Sequence, residues 1–199
     1  MSESSPPKKN KFFDLGEIRK TPSEKKEGVF STFLNRHMER IDRVNDLVRI
    51  PQEGEVFFIY TENAFNAFTF IPWLAERYFI QEIHASTYSI SRRVVEALQQ
   101  LHTAGRIGEV TLLISDSMVK RNPLTIDVLE AVVKSNAAFR TIYTWNHSKV
   151  TLLHARLDEV DFHLVLEGSG NWSENAQIEQ YTLTNSKEVY DFFKTMFEK

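Results

Sequence analysis

His147 to Gln180 reads HSKVTLLHARLDEVDFHLVLEGSGNWSENAQIEQ. Two apolar runs carry this stretch, one starting at Val150 and one from Phe162 to Leu166. In a strand, residues i and i+2 point to one face, so His147 and Lys149 project together, about 7 Å apart. The second run leads into Gly168-Ser169-Gly170-Asn171. Glycines there let the backbone turn sharply and let another group come close. Pairing of the two runs gathers an imidazole, an ammonium, a hydroxyl and a carboxamide. That set suits a phosphate: imidazole to attack or shuttle protons, ammonium to hold negative charge, hydroxyl and amide to orient oxygens.

Outward from this stretch, strands and helices alternate. Glu55 to Thr61 (EVFFIYT) reads as a buried central strand. Ala64 to Tyr78 reads as a helix broken near Pro72, its aromatics belonging to the core. Gln81 to Ser89 reads as a strand, and Ser91 to Ala104 as a helix stopped by Gly105. A strand over Val110 to Ser115, a helix over Pro123 to Lys134 and a strand over Phe139 to Trp145 follow. Beyond the central stretch come a strand over Ile178 to Thr184 and a last helix. Asn185 caps that helix, with Glu188 three positions on. Its apolar stripe is Val189, Phe192, Phe193, Met196 and Phe197.

On the N-terminal side, Phe30 to Ile50 reads as an amphipathic helix, with Phe33, Met38, Ile41, Val44 and Leu47 near helical spacing. Arg36, Arg40 and Arg43 fall on its other side, and Pro51 ends it. Met1 to Gly28 is rich in Ser, Pro, Lys and Glu and reads as a flexible arm. Lys8, Lys9 and Lys11 read as part of a solvated tail, with phosphate contacts in a nucleic-acid complex as the alternative reading. The folded domain therefore spans 29–199, with the N-terminal helix over 29–50. The alternation argues for a layered α/β domain with a mixed central sheet and helices on both faces. Several strands are expected to be parallel, with the His147–Leu166 pair antiparallel at the centre.

Composition narrows the function classes. A chain of 199 residues suits one domain with a real core. A net charge of −3 gives no global basic excess, so any polyanion site must be local. With no cysteine, disulfides and thiol catalysis are excluded, and a reducing compartment is expected. No apolar run approaches the roughly 20 residues that span a bilayer, and the N-terminus lacks a signal-peptide core. A soluble, cytoplasmic protein is expected. His84, His154 and His163 are scattered in sequence, without metal-ligand spacing, and read as non-ligands.

His147-x-Lys149, then Gly168-Ser169-Gly170-Asn171-Trp172-Ser173, then Asn175 and Glu179, resembles the phospholipase D superfamily, whose signature is HxKxxxxD followed by GSxN. The chain carries one such motif, as do the small members that complete their site by forming a homodimer. The resemblance implies a phospholipase D-like layered fold and a metal-independent phosphodiesterase, a nuclease first of all. It makes His147, Lys149 and Glu179 catalytic, and Lys149, Ser169 and Asn171 phosphate-binding. It implies no cofactor, no metal and no stable membrane association, with nucleic acid, DNA first, as partner. His154 stands where the signature has Asp, and LDEVDFHL lengthens the connection to the glycine turn; Asp158 and Asp161 are nearby acids. This departure leaves an alternative, a catalytically inactive phospholipase D-like DNA- or protein-binding module.

Overall fold

The structure is a computed structural model that describes residues 35–63, 65–173 and 178–198. The arm read over Met1 to Gly28 lies outside them. The strands are β1 (Asn35–Ile41), β2 (Glu55–Thr61), β3 (Phe79–Thr87), β4 (Ile107–Ser115), β5 (Phe139–Thr144), β6 (Val150–Leu157), β7 (Val160–Gly168) and β8 (Gln180–Asn185). The helices are α1 (Phe70–Ala75), α2 (Arg92–Thr103), α3 (Ser117–Arg121), α4 (Pro123–Ser135) and α5 (Lys187–Lys194). None is long and apolar enough to cross a membrane.

All eight strands form one mixed sheet in the order β1-β2-β8-β7-β6-β3-β4-β5. β1 runs parallel to β2, and β3, β4 and β5 run parallel to one another. The other neighbours are antiparallel, including β6 and β7 at the sheet centre. These directions bring the ends of β1 to β5 and of β7, and the starts of β6 and β8, to a single end of the sheet. In open α/β sheets, ligands bind outside such carboxyl ends.

The two faces are covered unequally. Alternation sends Ile83, Ala85, Leu112, Ile114, Leu153 and Leu166 to one face, into the main core. Val94, Val95 and Leu98 of α2, Ile126 and Leu129 of α4 and Ile71 and Leu74 of α1 close over them. The other face presents Leu113, Val150, Leu152 and Val165, and among the described residues only α5 and the 3-10 turn after it pack there, through Tyr190 and Phe197. Helices thus lie on both faces, and among the described residues one face is covered only at its centre.

Three sequence expectations need correction. The helix expected over 29–50 is, in its described part from 35 on, strand β1 followed by a 3-10 turn at Val44–Asp46, while 29–34 lie outside the described residues. Ile41, Val44, Leu47 and Ile50 are buried at three-residue intervals, which imitates a helical stripe, but they come from a strand end, a turn and an extended segment. Met38, assigned to the buried stripe, is 89% exposed on the edge strand. The helix near Pro72 is short, with Pro72 in its first turn, where a missing N–H costs nothing. The last helix is capped by Ser186, whose hydroxyl accepts from Val189 N. Asn185 instead accepts from His163 N and donates to Pro51 O, tying β7 to the segment before β2.

The histidines read as scattered meet under α5. Cross-strand pairing sets Glu82 beside His154, and His154 beside His163. The His154 and His163 rings stack at 4.7 Å, and Tyr190 sits edge-on to His163. Glu82 accepts from Lys194 at 2.6 Å and contacts His84 at 3.1 Å. Burial pushes the Glu82 carboxyl up, but the hydrogen bonds from Lys194 and His84 outweigh it and hold it at about 2. Burial pushes the imidazoles of His84 and His163 down.

All three groups bind protons less readily folded than unfolded, so stability is expected to fall as pH falls. The histidine part goes below the ordinary imidazole value of about 6.5, and the Glu82 part as pH drops from about 4.3 toward the acid limit. Thermal melts across pH read both steps. Lys194→Met removes the main donor to Glu82, so its lower step is expected to shrink; an unchanged profile would contradict this coupling.

Candidate active site

His147 and Lys149 lie in the extended segment just ahead of β6 rather than on the strand. Lys149 Nζ is 3.5 Å from His147 Nδ1 and donates to His147 O at 3.2 Å. Asn146 anchors the segment. Its amide donates to Ser86 Oγ at 2.9 Å, and its Oδ1 accepts from Ser148 N and Ser148 Oγ, both at 2.9 Å. Ser86 and Ser148 are themselves 2.5 Å apart through their hydroxyls. The tip of the segment is thereby fixed to β3, and His147 and Lys149 are left facing outward.

The ring of Tyr88 lies 4.7 Å from that of His147. The Arg121 guanidinium stands over the Tyr88 ring at 4.3 Å, a cation–π distance. Tyr88, Arg121, Asn146 and Ser148 were not singled out in the sequence. Tyr88 and Arg121 carried no motif; Tyr88 meets His147, and Arg121 meets Tyr88, because the loop after β3 and helix α3 after β4 share the sheet end with His147.

The glycine turn joins this segment through the backbone. Gly168 N donates to Lys149 O at 3.4 Å, and Ser169 N donates to Gln180 O at 3.1 Å. Ser169 Oγ donates to the Glu179 carboxylate and accepts from Gln180 N at 3.1 Å. Glu179 is held in turn by Thr61, which accepts from its N–H at 2.9 Å. Among the described residues, the carboxylate of Glu179 therefore meets Ser169, not His147. Asn171 offers its backbone oxygen to Ala67 N at 3.2 Å. Its side-chain oxygen is buried and has no partner among the described residues. An unpaired buried polar atom is costly, and a half-turn of the carboxamide would offer a donor in the same position. Asn175 lies outside the described residues.

Trp172 locks the turn in place. It is 1% exposed, its indole N–H donates to Thr151 Oγ1 at 3.2 Å, and its backbone N–H reaches Thr87 Oγ1 at 3.2 Å and Ser89 O at 3.1 Å. Ser173 and Ser89 hydroxyls are 2.7 Å apart. A continuous chain of contacts thus runs from His147 through Tyr88 and Ser89 to Trp172 and the Asn171 backbone.

Position 154 is elsewhere. His154 lies four residues along β6 from Val150, about 13 Å at strand rise. It faces His163 under α5, and its Nε2 is 3.3 Å from Asp161 Oδ1. That contact has ion-pair distance without hydrogen-bond geometry, so His154 Nε2 has no hydrogen-bond partner among the described residues. Asp161 is paired with Arg156 and stays with this cluster, away from the sheet end. Among the described residues, no group of three or more His, Asp or Glu is arranged to hold a metal.

No protein-family model matches this sequence, and a comparison with curated proteins returns no match. Among solved structures the chain is similar to the crystal structure of polyphosphate kinase from Porphyromonas gingivalis, with a TM-score of 0.52 and 15% identity over 71% of this chain and 25% of that one. It is also similar to TrmBL2, an archaeal chromatin protein that shows a novel mode of DNA binding, with a TM-score of 0.44 and 12% identity over 78% and 53% of the two chains. The chain spans about a quarter of the kinase's length. At this identity the likeness shows the fold alone: an α/β domain with a large mixed sheet.

The turn tolerates no side chain at Gly168, where a Cβ would run into the backbone oxygen of Gln180. Backbone cannot swing aside, so Gly168→Ala is expected to cost about 1–3 kcal/mol through overpacking. Gly105→Ala is the control, since a Cβ there meets nothing and faces only its positive φ of 67°. Urea denaturation compares them. A Gly168→Ala variant as stable as the wild type would contradict the close β7–β8 approach.

Proposed function

We propose that this chain is a metal-independent phosphodiesterase, a nuclease acting through a phosphohistidine at a site shared by two copies. The observation that carries this reading is the meeting at one sheet end of His147 and Lys149 with Ser169, Glu179 and Asn171. Each supplies something a phosphoryl transfer needs. His147 is exposed and attacks phosphorus; a P–N bond forms and the P–O bond to the leaving strand breaks. His147 of the second copy gives its proton to the leaving oxygen. It then takes a proton from water, whose oxygen displaces the imidazole and releases the phosphate product.

Lys149 and Asn171 bind the nonbridging oxygens, where negative charge develops in the transition state. Lys149 and an imidazolium supply the positive charge that a metal supplies elsewhere. Glu179 acts through Ser169: its carboxylate accepts the hydroxyl proton and fixes the side chain, and an entering phosphate oxygen competes for that one proton. A two-histidine mechanism needs a second His147, and a C2 axis beside the site supplies it, because residues at the axis meet their own copies. A homodimer follows. The second reading is a noncatalytic DNA- or protein-binding module, which draws on His154 standing where the resemblance has Asp.

Pure protein incubated with plasmid and single-stranded DNA in EDTA is expected to cut. His147→Ala is expected to abolish cutting, and Lys149→Ala to lower turnover by about 10²–10³. Both variants are expected to keep the wild-type circular dichroism and the dimeric mass in light scattering. A need for Mg²⁺, or activity that survives His147→Ala, would overturn the mechanism. A wild type that binds DNA without cutting would favour the binding module.

A further inference from the structure

Among the described residues, the sheet face that carries α5 is open beyond it. Over β1, β2, β8 and β7 it forms a groove of about 750 Å³. Register places Met38, Phe58 and Thr182 across neighbouring strands, with Arg40, Tyr60 and Gln180 in the next row toward the site. Met38 is 89% exposed, Phe58 47% and Tyr60 45%. Three large apolar side chains on one uncovered face require an occupant more than scattered surface residues do.

The groove is continuous with the candidate site. Gly168 and Gln180 line it, and these residues bond Lys149 O and Ser169 Oγ. We propose that this groove is a base-stacking subsite that holds an unpaired nucleic-acid strand as it enters the phosphodiester site. This rests on the phosphodiester-cleaving reading given above.

Spacing chooses the unpaired strand over the duplex. Phe58 and Tyr60 are i and i+2 on one strand, so their rings rise from the sheet about 6.6–7 Å apart. That is about twice the 3.4 Å step between bases along one strand of a duplex, so only unstacked bases can use both rings. Aromatic platforms of this kind bind single strands with little sequence preference. Arg36 is exposed on the same face of β1, at the far end of the row. Arg40 is tied to Glu62 at the near end, so it frames the groove rather than supplying a free charge. Glu167 lies half-buried in the floor, and its carboxylate makes no hydrogen bond among the described residues. Burial pushes its carboxyl up. As a carboxylate it accepts from the amino groups of bases, which suits base edges over a phosphate backbone.

The test measures fluorescence anisotropy of a labelled single-stranded oligonucleotide and of the same sequence annealed to its complement. The protein is the full chain carrying His147→Ala, so that the strand stays intact. Phe58→Ala and Tyr60→Ala are each expected to weaken single-strand binding about tenfold, and duplex binding by less than about twofold. Phe58→Tyr is expected to retain binding. Thermal melts check that these exposed positions leave the fold unchanged. Single-strand affinity that does not change, or equal losses for both probes, would overturn the proposal. So would dissociation of the wild-type dimer by Phe58→Ala in sedimentation, which would give the groove to a second copy. Turnover of bis(p-nitrophenyl) phosphate, which has no bases, reads the phosphodiester site separately in the wild type. Its failure would remove the nuclease reading while the anisotropy still decides the groove.

Discussion

Burial of Trp172 is the constraint on which the candidate site depends. The segment from Gly168 to Ser173 has no regular strand partner beyond Tyr181, and without an anchor it would be a free glycine loop. Its indole fills the core edge-on to Phe68, and its two N–H groups find oxygen on Thr151, Thr87 and Ser89. The carbonyl of Trp172 accepts from Ser91 N, which starts α2. One residue thus ties β6, β3 and α2 to the glycine turn. A buried indole N–H with no acceptor would cost about 1–3 kcal/mol, so Thr151 and Trp172 act as a pair. Ser169 and Asn171, three and one residues upstream of that anchor's far side, inherit its rigidity.

The unequal faces divide the labour of the sheet. One face carries the large core and helices α1 to α4. The other carries α5 over a polar cluster of Glu82, His84, His154, His163 and Lys194, with an open groove beside it. The candidate site lies at neither face but at the strand ends between them, where loops can vary without disturbing the ladders. The short connection from β5 to β6 carries His147 and Lys149 there, and the end of β7 and start of β8 carry Ser169, Asn171 and Glu179. The fold therefore presents fixed groups at its rim while leaving a broad surface for a ligand to follow.

Much of this was legible in the sequence, for physical reasons that differ by element. β2 was read to the residue, because a continuous apolar run ending in polar residues has few other interpretations. α2 and α4 were read within a residue or two, since their stripes are long and their stops are plain. β1 was misread because an edge strand buries little, while the three-residue spacing of Ile41, Val44 and Leu47 imitates a helix. The motif halves were found through order and spacing along the chain. Their junction was read from the expected antiparallel pairing of the two apolar runs, which β6 and β7 form. The histidine cluster was invisible: Glu82, His154, His163 and Lys194 are far apart in sequence and meet only through cross-strand pairing and the docking of α5. Tyr88 and Arg121 were missed because a loop aromatic and a helix-end cation carry no pattern until the loops are folded together.

The central claim is that His147 attacks phosphorus. The most direct measurement is mass spectrometry of the peptide containing His147 after a rapid quench, without acid, of protein reacting with an oligonucleotide. A phosphoramidate adduct on His147, absent from Lys149→Ala at the same time point, is the expected result. Protein that binds the oligonucleotide tightly yet yields no adduct at His147, across pH and with single- and double-stranded substrates, would contradict it.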